Sequence, residues 1–252
     1  MSKRWILAAA AAVVIGLVKV IADLAIDASP AEPPRGQPPA VAPAEGTYQP
    51  AAGAELDELL DQVDVIPDRP TVPGYDRECG TGHACSFGQT WSDDVDVEGG
   101  RNGCDTRNDI LARDLDNTQT RPGTNGCVII SGTLDDPFTG ESIDFTKEKA
   151  YEVGVDHLYP LARAWDLGAA EWSPQQRQNF ANDPRNLAAV SGAANSSKGD
   201  SGPGEWLPIN STHRCTYVAD YLSIAIAYSL PVTAADHDAA AALEDHCAPT
   251  NN

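Results

Sequence analysis

Six cysteines, Cys79, Cys85, Cys104, Cys127, Cys215 and Cys247, follow a basic and then apolar leader, and together these features constrain the chain more than any other. Met1-Ser2-Lys3-Arg4 is cationic, Trp5 to Val18 is unbroken apolar sequence, and Lys19 interrupts it before a mixed stretch at 20–26. Residues 1–28 read as a signal peptide. With residues 20–26 the apolar run approaches the ~20 residues that span a bilayer, so an uncleaved signal anchor is the alternative. Both readings put the remainder outside the cytoplasm, either secreted or held at the outer face of the membrane. An even cysteine count in an oxidising compartment is a disulfide framework. The sequence-local pairing is the expected one: Cys79–Cys85, Cys104–Cys127 and Cys215–Cys247. Cys79-x3-His83-x-Cys85 imitates a zinc motif, but it offers only three ligands where a structural site needs four.

The leader is followed by a tether. Residues 29–54 carry seven prolines among Ala and Gly, a composition that stays extended and does not pack. Residues 55–100 form an acidic, largely irregular lead-in, with a short helix expected at 55–64. Residues 101–252 hold the main folded domain. Charge bounds the partners: 17 Lys+Arg against 37 Asp+Glu gives a net −20. Nucleic-acid binding through bulk positive charge is therefore excluded, since phosphate neutralisation needs Lys and Arg. A small metal-bearing site acting on nucleic acid is not.

Local signals in the main domain give an α+β order. Asp105 or Thr106 caps a helix running to about Asp116, with Ile110, Leu111 and Leu115 inward. Cys127 to Ser131 is a strand, Asp135 to Gly140 a turn, and Ile143-Asp144-Phe145 the returning strand of a hairpin. Tyr151 to His157 is a strand and Pro160 to Gly168 a helix. Ser173-Pro174-Gln175-Gln176 opens another helix with an N-cap and a proline in its first turn. Asn186 to Val190 is a strand that runs into a helix at Ser191 to Lys198. Ser211 to Leu230 is an amphipathic helix, and Thr233 with Asp236 caps a last helix through Cys247.

Chemistry concentrates on residues 155–200. A strand ends in Asp156-His157, a second strand begins at Asn186, and a helix carries Asn195. Phosphodiester hydrolysis needs a base for water and a cation beside the phosphate. His157, with an ordinary pKa of about 6.5, suits the first task. Asp156 is a hard oxygen donor of the kind Mg²⁺ prefers, and Asn195 adds an amide oxygen. Asn186 can hold the His157 loop through its amide. Lys198 and Arg185 are candidate phosphate contacts, with solvated surface charge as the other reading of each. Peptidase signatures are missing: there is neither a His-Glu-x-x-His nor a Gly-x-Ser-x-Gly motif.

Three blocks carry a family resemblance. Val155-Asp156-His157-Leu158-Tyr159-Pro160-Leu161 with Ala164-Trp165 resembles the first box of secreted HNH endonucleases, similar to the C-terminal nuclease domain of Gmr-type restriction enzymes. Phe180 to Val190, with Asn182-Asp183-Pro184-Arg185-Asn186, resembles the second, and Asn195-Ser196-Ser197-Lys198-Gly199-Asp200 the third. Gly103-Cys104-Asp105-Thr106-Arg107-Asn108-Asp109 is similar to the family's upstream motif. The resemblance spans roughly residues 74–247. It implies an α+β fold with a ββα-metal (His-Me finger) core surrounded by helices and stapled by disulfides, and makes 101–252 an HNH nuclease domain. It implies His157 as general base and Asn186 as the residue orienting its loop. Asp156 and Asn195 would hold one divalent metal, Mg²⁺ being the best match because the third family letter, often His, is here an Asn. The implied activity is hydrolysis of DNA, with RNA also compatible; the balanced charge of residues 157–200 leads to an expectation of low sequence specificity, and a monomer is expected. The competing reading is a non-catalytic exported binding protein that retains the HNH fold.

Overall fold

A computed structural model describes residues 56–247. The leader at 1–28 and the tether at 29–54 lie outside the described residues. Among the described residues no helix is long and apolar enough to cross a membrane.

Helix α1 (Leu56–Gln62) leads into β1 (Val65–Ile66). Residues 67–105 contain no helix or strand, as their Gly, Pro and Asp content leads one to expect. Helix α2 (Thr106–Asp114) is capped by Asp105, whose side chain accepts from the Asn108 amide, and it buries Ile110 and Leu111. Strands β2 (Asp116–Thr120), β3 (Ile129–Asp135) and β4 (Ser142–Thr146) form an antiparallel sheet in the order β2-β3-β4. The sequence reading places no strand at β2, whose five residues are all polar and all exposed. It is an edge strand recruited by backbone pairing to β3, with no apolar face of its own.

Strand β5 (Val153–His157), helix α3 (Leu161–Asp166), helix α4 (Pro174–Ala181) and strand β6 (Leu187–Ser191) follow. β5 and β6 pair antiparallel, with Asp156 opposite Ala188 and His157 opposite Leu187. Helix α5 (Gly192–Lys198) starts at the end of β6, capped by Ser191. The expected amphipathic helix begins as a 3-10 turn at Ser211–His213 and continues as α6 (Arg214–Ala227). β7 (Val232–Thr233) pairs parallel with β1. The single last helix expected from Thr233 is two: α7 (Ala234–Ala241), with a Thr233/Asp236 capping box, and α8 (Glu244–Cys247).

The three disulfides are Cys79–Cys85, Cys104–Cys127 and Cys215–Cys247, the sequence-local set; the last ties α6 to α8. With Cys79 and Cys85 bridged, the zinc-like spacing around His83 has no thiolates to offer. The β5–β6 pair is buried on both faces. Val153, Val155, Leu187 and Ala189 pack against Ile110, Leu111 and Phe145, whereas Val190 joins the larger core built around α6. That double burial fixes the position of the strand end carrying Asp156 and His157. The buried Asp136 carboxylate, at the β3–β4 turn, accepts from the Ser191 amide at 3.0 Å and so locks the start of α5 as well.

Candidate functional site

Strand alternation sends Gly154 and Asp156 to one face of β5. On α5, Asn195 and Lys198 are three residues apart and share a face. These two faces meet. The Asn195 amide lies so close over Gly154 that a Cβ there would sit 2.8 Å from its Nδ2. Lys198 Nζ donates to Asp156 Oδ1 at 3.1 Å and to the His157 carbonyl at 2.8 Å. Asp156 Oδ2 is 2.9 Å from the same nitrogen, yet no donor is aligned on it. Burial pushes the Asp156 carboxyl above its usual range and the Lys198 ammonium below its own, and their contact opposes both shifts.

His157 closes the strand. Its Nε2 is 2.8 Å from the Ala181 carbonyl oxygen, which can only accept, so Nε2 carries the proton and the Nδ1 lone pair is left over in the neutral ring. Burial drives the imidazole pKa down to about 3, against the pull of that carbonyl. The Trp91 indole stacks on the ring, with centroids 5.8 Å apart and planes within 7°. Trp91 has a left-handed backbone, φ 55°, unusual for so bulky a residue. The following residue is anchored twice: Gln178 donates to Ser92 Oγ at 2.8 Å, and Thr106 Oγ1 donates to the Ser92 carbonyl at 3.0 Å.

Asn186 is fully buried and uses both ends of its amide on Tyr159: Oδ1 accepts from Tyr159 N at 2.8 Å, and Nδ2 donates to Tyr159 O at 3.2 Å. The backbone leaving His157 is thereby clamped to the start of β6. Arg185 is elsewhere. It pairs with Asp183 at 2.6 Å and lies over the Tyr228 ring. To meet a phosphate, Arg185 would have to leave Asp183, and Lys198, only 1 % exposed, would have to leave Asp156.

Asp156, His157 and Asn195 nevertheless line one cleft of about 290 Å³. Tyr75 and Arg77, from the irregular lead-in, line it too, as does Asp200, whose carboxylate is paired with Arg69 at 2.8 Å. Sequence reasoning missed Arg77 and Trp91; neither sits in a periodic element or a motif. The only local cue was the small Cys79–Cys85 loop two residues beyond Arg77.

The donor set can be tested against a metal. Among the described residues no three or more His, Cys, Asp or Glu side chains cluster as a ligand group, so a thiolate or imidazole cage is not present there. One carboxylate and one amide are the donor types a hard cation takes, but Asp156 Oδ2 is buried 2.9 Å from the Lys198 ammonium, which a metal there would have to displace.

Fold and site define a disulfide-stapled α+β protein whose cleft is lined by Asp156, His157 and Asn195. Residues 105–243 match the family model of the C-terminal domain of GmrSD restriction endonucleases, more than half of the chain, and the protein belongs to that family. It is also 38 % identical over 146 residues to an uncharacterized secreted protein of Arthroderma benhamiae, an alignment covering 57 % of this chain and 68 % of the relative. No solved structure matches it.

Proposed function

We propose that the protein is an exported, metal-dependent endonuclease that hydrolyses DNA phosphodiesters with His157 as the general base. The observation that carries this reading is the His157 ring: its Nε2–H is held by the Ala181 carbonyl, so Nδ1 is the basic nitrogen, in a cleft shared with Asp156 and Asn195. Burial keeps the imidazole neutral at working pH, so Nδ1 is unprotonated, although it also lowers the basicity of that nitrogen. The pair β5–β6 with α5 is read as the ββα-metal core, and residues 101–252 as the HNH domain.

His157 Nδ1 takes a proton from water as the water oxygen attacks phosphorus. The phosphorus–O3′ bond then breaks, the 3′ oxygen picks up a proton from solvent, and a 5′-phosphate and a 3′-hydroxyl remain. Asp156 and Asn195 would hold one Mg²⁺, which supplies charge stabilisation for the phosphate oxygens. Asn186, by clamping Tyr159, keeps the His157 main chain from swinging out of the cleft. Trp91 fixes the plane of the ring. Duplex binding is weak and salt-sensitive: residues 157–200 carry four basic and four acidic residues, so no broad basic surface flanks this segment of the site.

The test is plasmid cleavage. Mature protein with Mg²⁺ should nick supercoiled DNA, and both a chelator and His157→Ala should abolish nicking. Nicking that survives either treatment would refute this mechanism. Tight duplex binding without any turnover, in wild type and His157→Ala alike, would favour the non-catalytic binding protein instead.

A further inference from the structure

We infer that Arg77, outside the family-matched region, is the residue that grips the scissile phosphate, so that the lead-in segment completes the site. The inference rests on the nuclease reading above and extends it to the substrate anion. Among the described residues, Arg77 is the single Lys or Arg on the cleft wall beside Asp156, His157 and Asn195. The neighbouring cations are already spent: Lys198 on Asp156, Arg69 on Asp166 and Asp200, and Arg163 on Glu205 and Asp236. Among the described residues Arg77 makes no ion pair. Its guanidinium has five N–H donors, and its one hydrogen bond among the described residues is long, 3.4 Å from Nη1 to the Gly88 carbonyl. A part-buried guanidinium with idle donors in a concave site matches the bidentate geometry of a phosphate.

The loop around Arg77 is built to present it. The Asp76 carboxylate accepts from the amides of Ala84 at 2.9 Å and Glu78 at 3.0 Å. The Cys85 amide donates to the Glu78 carbonyl, and the Ser86 amide to the Asp76 carbonyl. Cys79–Cys85 then staples the loop two residues beyond Arg77. The main chain on either side of Arg77 is thus tied across the loop, and little ordering remains to be done when an anion arrives.

The experiment measures binding separately from turnover. Full-length protein with its three disulfides is titrated onto a short fluorescein-labelled DNA duplex, with EDTA present, across a NaCl series. Arg77→Ala should weaken binding about ten- to a hundredfold at low salt. It should also flatten the slope of log K against log[salt] by about 0.9, one phosphate contact. Arg77→Lys should keep the slope and recover part of the affinity. Arg121→Ala, an exposed arginine off the cleft wall, should change neither. Melting temperatures of all variants report whether each has folded. Wild-type slope and affinity in Arg77→Ala, or an equal loss in Arg121→Ala, overturns the inference. In that event abolition of cleavage by His157→Ala would leave the nuclease reading standing. Conversely, Arg77-dependent binding by a protein that never nicks plasmid would keep the phosphate site and remove hydrolysis.

Discussion

Lys198 Nζ lies 2.9 Å from Asp156 Oδ2, and the two side chains are 0 % and 5 % exposed. A single salt bridge thus bolts the last turn of α5 to the strand end that carries the candidate base. Its worth is asymmetric: a buried pair adds little over apolar packing, but an orphaned buried charge is expensive. Lys198→Met should therefore destabilise the protein by about 3–5 kcal/mol, and adding Asp156→Asn should recover most of the loss. Urea unfolding of the two single variants and the double variant gives the answer. A cost below about 1 kcal/mol for Lys198→Met would mean that the pair is not coupled. The same variant leaves the carboxylate open to another cation, so Mg²⁺ should raise its melting temperature more than that of wild type.

The His157 imidazole sets an acid limit on stability. The unfolded His157 takes up a proton below about 6.5, whereas the folded ring resists until about 3. Between those values the unfolded state binds the extra proton, so stability is complete above about 6.5 and is lost as pH falls toward 3. His157→Gln should flatten this part of the curve by up to one proton. Unfolding free energies measured in EDTA from pH 8 to about 3 decide it; parallel curves for variant and wild type would be inconsistent with a buried neutral ring.

Two glycines close to the site should respond in opposite ways to Ala. At Gly154 the new Cβ meets the Asn195 amide at 2.8 Å, the movable end of a side chain. Gly154→Ala should leave the melting temperature near wild type while displacing Asn195, so that more Mg²⁺ is needed for half-maximal cleavage, by about tenfold for a disturbed ligand position. At Gly192 the new Cβ would lie 2.0 Å from the Tyr151 carbonyl oxygen, which is main chain. Gly192→Ala should cost several kcal/mol, on the order of an overpacked core. Thermal unfolding and Mg²⁺ titration of both variants separate the two effects; the same melting loss in each would refute the distinction.

Much of the site is legible along the chain because its scaffold is local. Asp105, Ser173 and Thr233 announce their helices through bonds to the amides three residues on, Asp236 closing the last into a capping box. The strand ending in Asp156-His157, the strand from Leu187 and the helix bearing Asn195 follow from short apolar runs and one cap, and the cysteines pair with their neighbours. β2 was invisible because a polar edge strand has no hydrophobic period; only β3 makes it a strand.

Residue types and order, read alone, determined a cystine-bearing α+β chain with an Asp-His-Asn-Asn set in fixed succession. Tertiary structure decided what each charge does. Lys198 was open to reading as surface or phosphate contact, and packing of α5 on β5 buried it against Asp156. Trp91 and Arg77, 66 and 80 residues before His157 in the chain, reach its cleft only because a stapled, periodless segment folds back over it. Helix caps and strand patterns are short-range properties of neighbouring residues, whereas which cation finds which anion depends on burial. Burial exists only once segments distant in sequence have packed together.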